Sequence, residues 1–373
     1  MLTAAPLGVV VNAINDNAHP RGPDRYLVEL LRHMRGLPDA PRLHLLRAPW
    51  QDYLDDVPLG PDDRLSVVRA PRRPLPRAAW QALRLPSIAN ATRADVAFLP
   101  NLLWNPGLRM PAVMTAHDLL HFRFPEKFGR AKARAQRFLI RRALATADRI
   151  VAVSDFTAAD AVRFGKALPA RIVTILEGGP PARPRPAGPA PDRYFLFVGK
   201  IETTKNVERL VEAFTGSALL RDAGFRLKIA GPDGNAAPAL APLLATPGVD
   251  RLGFVDDAAL EALYAGCRGF VFPSEAEGFG LVVLEAMARG APVIAARATS
   301  LPEVVGDAGI LVAPGDVAGL RAAMERLAAD DALAADLTRR GYEQLARFSW
   351  HRAARETLDC LREAAALRPQ EAS

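Results

Sequence analysis

The sequence predicts an α/β protein of two doubly wound domains, each a parallel sheet with helices on both faces, the two facing across a cleft. Three observations carry this expectation. Short apolar runs alternate with amphipathic stretches along almost the whole chain, the spacing of right-handed crossover units in parallel sheets. The length of 373 residues suits two domains at roughly 100–200 residues each. Between the halves, residues 178–192 hold six prolines and three glycines, which neither a helix interior nor a central strand tolerates. A proline-rich connector of this kind is semi-rigid. The expected boundaries are 1–178 for the first domain, 179–193 for the linker and 194–348 for the second.

In the first half the strand candidates are 7–14, 42–46, 65–69, 96–99, 112–115, 149–153 and 171–176, with helical patterns at 25–34 and 131–145 among those between them. In the second half they are 194–198, 226–230, 249–252, 269–272, 292–295 and 309–312, again separated by helical stretches. Ligands of such sheets sit at the carboxyl ends of the strands, so each domain can present one substrate.

Composition narrows the class. Half of the residues are apolar and 24% are charged, which excludes wholesale disorder. No run approaches the roughly 18 uncharged apolar residues of a membrane span, and no basic-then-apolar leader opens the chain, so the expected address is the cytoplasm. Cys267 and Cys360 are too few for a disulfide scaffold or a structural zinc site. The net charge of +7 is uneven: residues 1–180 carry 26 Lys+Arg against 16 Asp+Glu (+10), residues 181–373 carry 22 against 25 (−3). A basic half suits an anionic partner, although an Arg-rich coding bias is a competing cause.

The densest chemical signal is Phe272-Pro-Ser-Glu-Ala-Glu-Gly-Phe-Gly-Leu-Val-Val-Leu-Glu-Ala-Met-Ala-Arg-Gly290-Ala-Pro-Val. An apolar strand ends at Pro273, a glycine-bearing loop follows, and a helix is expected over about 279–289 with Gly290 as its stop. Gly278 and Gly280 permit a tight turn and a close ligand. The free N–H groups of the helix start form a phosphate site. Glu277 lies just before it and Glu285 about two turns on, roughly 9 Å along the axis. Two carboxylates would repel a phosphate between them, so they are better suited to accept from hydroxyls on either side of it. That is the shape of a nucleotide-diphospho-sugar. The bland alternative, a dipole-favoured carboxylate and an ordinary solvated one, explains each glutamate singly but not the strand, glycines and spacing together. An inverting glycosidase, with acid and base about 6.5–9.5 Å apart, explains the carboxylates but not the phosphate cradle.

Here the sequence resembles the retaining glycosyltransferases of family 4, group 1 type, whose GT-B fold has two Rossmann-like domains. Their Pro-Ser-x-x-Glu-Gly-Phe-Gly-x-x-x-x-Glu-Ala pattern is matched from Pro273 to Ala286. The resemblance implies that Glu277 contacts hydroxyls of the donor sugar, Glu285 the ribose, and the Gly278–Leu281 turn, through the backbone of Phe279, Gly280 and Leu281, the diphosphate. Val198-Gly-Lys-Ile-Glu-Thr-Thr-Lys-Asn206 resembles the family segment opening the second domain. Lys205 and Asn206 match it, while Thr204 replaces the usual arginine and Lys200 stands ready as the missing cation. Positive charge is needed because a departing diphosphate gains charge as the glycosidic bond breaks; the competing reading is a solvated loop lysine. Gly231 and Val255, in 229–234 and 253–256, align with family loops near the nucleotide base.

In the first half, Thr115-Ala-His-Asp-Leu-Leu-His121 is similar to the family's His-Asp-Leu segment. It implies that His117, with Asp118 beside it, meets donor sugar and acceptor, where an imidazole can donate to one hydroxyl and polarise another. An isolated histidine would more often be structural. His117, Asp118 and His121 could ligate a metal by residue type, but no third cluster completes the set. Gly22, Arg25 and Tyr26 match the family's acceptor-side glycine loop, whereas Asp24 stands where a glycine is usual. The Asp-Asp pairs at 55–56, 62–63, 256–257 and 330–331 read as caps and turns. The last helical stretch, within 349–368, resembles the family's helix that crosses back to the first domain.

Residues 127–142, from Lys127 to Arg142, carry seven cations and no acid. With Phe128, Phe138, Leu139 and Ile140 available, such a helix can lie on anionic lipid; the competing reading is a core-facing stripe with a solvated basic back. Nucleic acid is disfavoured because aromatic interleaving and a known binding motif are absent. The expectation is therefore a retaining hexosyltransferase with Glu277, Lys205 and His117 as catalytic residues. Its donor is a nucleotide-diphosphate sugar, GDP-mannose favoured by the Lys-Asn loop, and its acceptor a glycan or a lipid-linked sugar, with no cofactor and no metal. A sugar-nucleotide epimerase and a non-catalytic GT-B module remain as alternatives. A nicotinamide dehydrogenase is weaker, because no Gly-x-Gly-x-x-Gly follows the first strand.

Overall fold

The computed structural model describes residues 5–20, 22–183 and 193–367. Most of the proline-rich linker, 184–192, lies outside these. The chain divides into two compact units: residues up to Gly178 together with those from Ser349 onward, and Gly179–Phe348.

The first unit runs β1 (Gly8–Asn12), α1 (Gly22–Arg35), β2 (Arg42–Arg47), β3 (Arg64–Val67), α2 (Pro74–Ala91), β4 (Val96–Leu99) and β5 (Ala112–Ala116). Then follow α3 (Leu120–Arg123), α4 (Arg130–Thr146), β6 (Arg149–Ala152), α5 (Asp155–Arg163) and β7 (Ile172–Thr174). The second unit runs β8 (Tyr194–Val198), α6 (Val207–Thr215), α7 (Ala218–Asp222), β9 (Arg226–Ala230), α8 (Ala237–Leu244), β10 (Val249–Gly253) and α9 (Asp257–Gly266). It continues with β11 (Gly269–Phe272), α10 (Leu281–Ala288), β12 (Val293–Ala296), α11 (Leu301–Val305), β13 (Gly309–Val312), α12 (Val317–Ala329) and α13 (Asp331–Leu345). A final helix, α14 (Trp350–Ala366), returns to the first unit.

Both sheets are parallel, in the orders β3-β2-β1-β4-β5-β6-β7 and β10-β9-β8-β11-β12-β13. The central strands β1, β4, β5, β11 and β12 are buried at every residue, which is why they read as unbroken apolar runs rather than alternating ones. In each sheet the strand order reverses once, between β1 and β4 in the first and between β8 and β11 in the second. Open α/β sheets bind their ligands outside the strand carboxyl ends at such a reversal, because the two flanking loops diverge there and leave a crevice.

Helix α14 completes the first core. Its Trp350, Ala353, Leu358 and Leu361 are buried, and it packs on α1, β4, β5 and β6. Asp39 clamps its outer face, accepting from Arg355 at 2.7 and 2.8 Å and lying 2.8 Å from Arg362.

Helix α10 begins at Leu281, two residues later than expected. Gly280 sits at φ +110°, and a Cβ there would come within 2.9 Å of Leu301. Phe279 turns inward, 4% exposed, edge-on to Phe348 at 5.7 Å. The stretch from Glu277 to Gly280 is therefore a loop, and a helical rise cannot be used to space Glu277 from Glu285.

Candidate active site

The second unit gathers the acidic motif and the lysine loop at its β8/β11 reversal. The loop after β8 and the loop after β11 are tied together through the backbone. Glu275 N donates to Thr204 O at 2.9 Å, and Asn206 Nδ2 donates to Pro273 O at 2.9 Å. Asn206 holds φ +53° at the start of α6, a conformation asparagine tolerates. With the loops fixed this way, the Lys205 ammonium pairs with the Glu277 carboxylate and lies 5.1 Å from the face of Phe272. Both side chains are mostly covered, 18% and 15% exposed, so this pair is screened less than a surface one.

The loop bearing Glu277 is pinned a second time from the segment between β12 and α11. Glu277 N donates to Thr299 Oγ1 at 3.1 Å, and Ser300 Oγ donates to Phe279 O at 2.9 Å and Glu277 O at 3.2 Å. Helix α10 carries no side-chain cap at its N-terminus; the N–H of Val283 donates to Gly280 O at 2.9 Å, and those of Leu281 and Val282 are the ones oriented for an anion. Glu285, half-buried on α10, accepts from the Tyr264 hydroxyl at 3.2 Å. Gly231 is at φ +135°, and a Cβ there would meet Gly199 O at 2.2 Å. Glycine is required at that position to let the β8 and β9 ends approach. Val255 is half-buried after β10, beside Phe254 at 83% exposure.

Thr204 is 6% exposed, so the position where the family usually has arginine points inward here. Lys200 is half exposed with its ammonium 3.4 Å from Glu202. A cation that the sequence reading missed, Arg209, pairs with Glu275 and donates to Asn206 Oδ1 at 3.3 Å. The one-turn offset of Arg209 from Lys205 was the available signal.

In the first unit the outcome is mixed. His117, at the end of β5, has 15% side-chain exposure. Its Nε2 donates to Pro100 O at 2.9 Å and its Nδ1 lies 3.5 Å from Glu177. Donation from His117 to a sugar therefore requires Pro100 to release it. Tyr26 does not belong on an acceptor surface. It is 1% exposed, its hydroxyl lies 3.4 Å from Thr115 Oγ1, and its ring backs His117 edge-on at 4.8 Å. Burial pushes its phenol well above the ordinary value. Its place on the inward face of α1 was not readable from the Arg-Tyr pair alone.

Gly22 opens α1 with nothing within 4 Å of a built Cβ, so nothing there demands glycine, and Arg25 is exposed. Asp118 accepts from Leu120 N at 3.1 Å. Asp256 and Asp330 cap α9 and α13, the role the sequence reading gave them. Among the described residues no group of three or more His, Cys, Asp or Glu side chains is arranged around a metal position.

On α4 the expected apolar set shrinks. Ile140 is 7% exposed and Phe128 stacks on His121 at 3.9 Å, while Phe138 projects at 54%. Among the described residues no helix is long and apolar enough to cross a membrane.

Known protein families match both halves of the chain. Residues 20–183 fit the family described as Glycosyltransferase Family 4, and residues 192–330 fit Glycosyl transferases group 1. The O-antigen chain mannosyltransferase B of Escherichia coli is 31% identical over 362 residues, 91% of this chain and 95% of that protein. The chain belongs to the group 1, family 4 glycosyltransferases. As such it is a glycosyltransferase of two-domain α/β fold. The serotype-specific mannosyltransferase WbdA of Escherichia coli is 35% identical over 177 residues, 45% of this chain but 22% of WbdA. Among solved structures, sucrose-phosphate synthase from Thermosynechococcus elongatus superposes with a TM-score of 0.77 at 20% identity, covering 97% of this chain and 100% of that one. WaaG, a glycosyltransferase involved in lipopolysaccharide biosynthesis, gives 0.70 at 16%, covering 95% and 99%. At these identities the structural matches speak for the fold.

Proposed function

We propose that this glycosyltransferase moves a mannosyl residue from a nucleotide-diphosphate sugar, GDP-mannose, to a glycan or lipid-linked acceptor in cell-surface polysaccharide synthesis, with retention of anomeric configuration. The observation that carries this is the Lys205–Glu277 pair at the head of the uncapped helix α10. As the bond from the anomeric carbon to the β-phosphate oxygen breaks, charge develops on the diphosphate, and Lys205 and the α10 N–H groups meet it. Glu277 accepts from donor-sugar hydroxyls, and Glu285, oriented by Tyr264, accepts from the ribose. The acceptor hydroxyl attacks from the leaving-group face and passes its proton to the departing phosphate oxygen. No metal is needed in this scheme, since the lysine and the helix terminus supply the positive charge. The mannosyl choice is supported by the Escherichia coli relatives, both named as mannosyltransferases.

The α4 face belongs to the same reading. Arg130, Arg134, Arg141 and Arg142 are exposed with Phe138 on one side of α4 and meet anionic head groups of the cytoplasmic leaflet, at about 1 kcal/mol per cation. Sedimentation with phosphatidylserine vesicles tests this; charge reversal at Arg134 and Arg141 is expected to abolish it.

Lys205→Ala and Glu277→Ala are each expected to lower turnover about 10²–10³-fold while circular dichroism stays that of the parent. Wild-type turnover in both purified variants removes the assignment. A panel of nucleotide sugars scored by thermal shift identifies the donor, because a ligand that prefers the native state raises Tm.

A further inference from the structure

Behind His117 lies a carboxylate that neither the sequence motifs nor the transfer scheme uses. Glu177, just past β7, is 3% exposed. Burying a carboxylate is costly unless something pairs with it. Among the described residues its one hydrogen-bonding or ion-pairing partner is His117, whose Nδ1 lies 3.5 Å from Glu177 Oε1. The backbone holds the carboxylate in place. Ile175 N donates to Ala152 O at 2.9 Å, and the next residue after Glu177, Gly178, lies so close to Trp350 that a Cβ would come within 2.3 Å of its ring. The Glu177 side chain is 4% exposed against 15% for His117. The imidazole can reach a ligand, whereas Glu177 reaches only the imidazole.

The ring is held from its other sides as well. Nε2 donates to Pro100 O at 2.9 Å, the His117 carbonyl accepts from Thr157 Oγ1 at 3.4 Å, and Tyr26 meets the ring edge-on at 4.8 Å. The neighbouring carboxylate, Asp118, is turned to the N–H of Leu120 at 3.1 Å. Both groups that face the ring nitrogens, the Pro100 carbonyl and the Glu177 carboxylate, are acceptors. A nitrogen facing an acceptor is favourable only with hydrogen on it. A general base needs the opposite, a bare nitrogen turned to the substrate. When a sugar hydroxyl takes the place of Pro100 O, the nitrogen presented is Nε2 with its hydrogen, while Glu177 keeps hold of Nδ1. This is the arrangement in which a third group orients an imidazole without touching the reacting atoms.

We infer that Glu177 is a positioning residue for the transfer step: it fixes His117 as a hydrogen-bond donor to a substrate hydroxyl and keeps it from acting as the base. This rests on His117 meeting the substrate, and it agrees with a scheme in which the attacking hydroxyl gives its proton to the departing phosphate oxygen. The first test is the ring nitrogen-15 spectrum of His117 in the full chain labelled at histidine, assigned by its disappearance in His117→Asn. At pH 7 the parent is expected to show hydrogen on both ring nitrogens, and Glu177→Gln on one only. The second test is turnover of GDP-mannose with mannotriose as acceptor. Glu177→Gln is expected to lower kcat about 10- to 100-fold with KM for GDP-mannose unchanged, and Glu177→Asp, which keeps the charge, to recover part of that loss. A bare Nδ1 in the parent, the parent's ring pattern in Glu177→Gln, or a Glu177→Gln kcat equal to the parent's overturns the proposal. Parent turnover in His117→Asn overturns instead the reading of His117 as a substrate contact, and the spectra, which need no substrate, report on the pair either way.

Discussion

Thr299 holds φ +50°, a conformation that a β-branched residue enters only at a cost. Its hydroxyl accepts the N–H of Glu277, so the strain sits where the acidic loop must be held still. Thr299→Gly removes strain of about 1–3 kcal/mol together with the hydroxyl. The expected result is a Tm equal to or above the parent and a kcat about tenfold lower, with Thr299→Ser keeping most of the activity. Equal turnover in the glycine variant would show that the hydroxyl does not position Glu277. The cations of this site are each engaged in the free protein: Lys200 by Glu202, Lys205 by Glu277 and Arg209 by Glu275. An arriving diphosphate must therefore compete with carboxylates. Neutralising Glu275 by Glu275→Gln is expected to tighten nucleoside diphosphate binding severalfold, measured by calorimetry.

At the level of elements, the central strands were readable to within a few residues, because a strand covered on both faces has no polar position to blur its ends. Helix starts were less so. The delay of α10 to Leu281 depends on where the Phe279 ring goes, which is a tertiary fact. The Glu277-to-Glu285 motif and Lys205 were legible from local pattern. Arg209 was signalled only by its one-turn offset from Lys205, since its partner Glu275 is 66 residues away. Asp24 looked like a defect in a glycine loop because its partners Tyr53 and Asn17 belong to different segments. The short segment around α3 and the strand β2 each carry a histidine whose imidazole burial pushes down, His121 against Phe128 and His44 beside Ser66. Above the ordinary value of about 6.5 folded and unfolded chains are both neutral there. As the pH falls through and below it, the unfolded chain takes up protons first and stability declines. Urea midpoints are expected to fall between pH 7 and pH 5, less steeply in His121→Phe. The carboxylates that arginines hold low, Asp39 through Arg355 and Arg362 and Asp250 through Arg226, act only at more acidic pH.

At the scale of the molecule, the two cysteines divide between the two units, Cys267 in the second and Cys360 on α14 in the first. Both are buried, and burial pushes the Cys360 thiol up to about 12. Neither is expected to react with a thiol reagent in the native protein. Across a urea series each thiol reports the opening of its own unit. Trp350→Ala removes a large side chain at 8% exposure from the first core, at about 3–5 kcal/mol. It is expected to move Cys360 labelling to lower urea and leave Cys267 where it was; a matching shift at both thiols would mean the units open as one.

Because the first unit is closed by α14, which follows the whole of the second unit in the sequence, its β-sheet cannot be sealed until the second unit has been made. The segment 179–348 is continuous, has all its strands, and can mature on the ribosome. The earlier-synthesised half must wait, with the α1 and β4–β6 surface that α14 will cover still open, until residues 350–366 have emerged. A premature stop just upstream of Trp350 is thus expected to spare the later-made half and send the earlier-made half to chaperones and proteases.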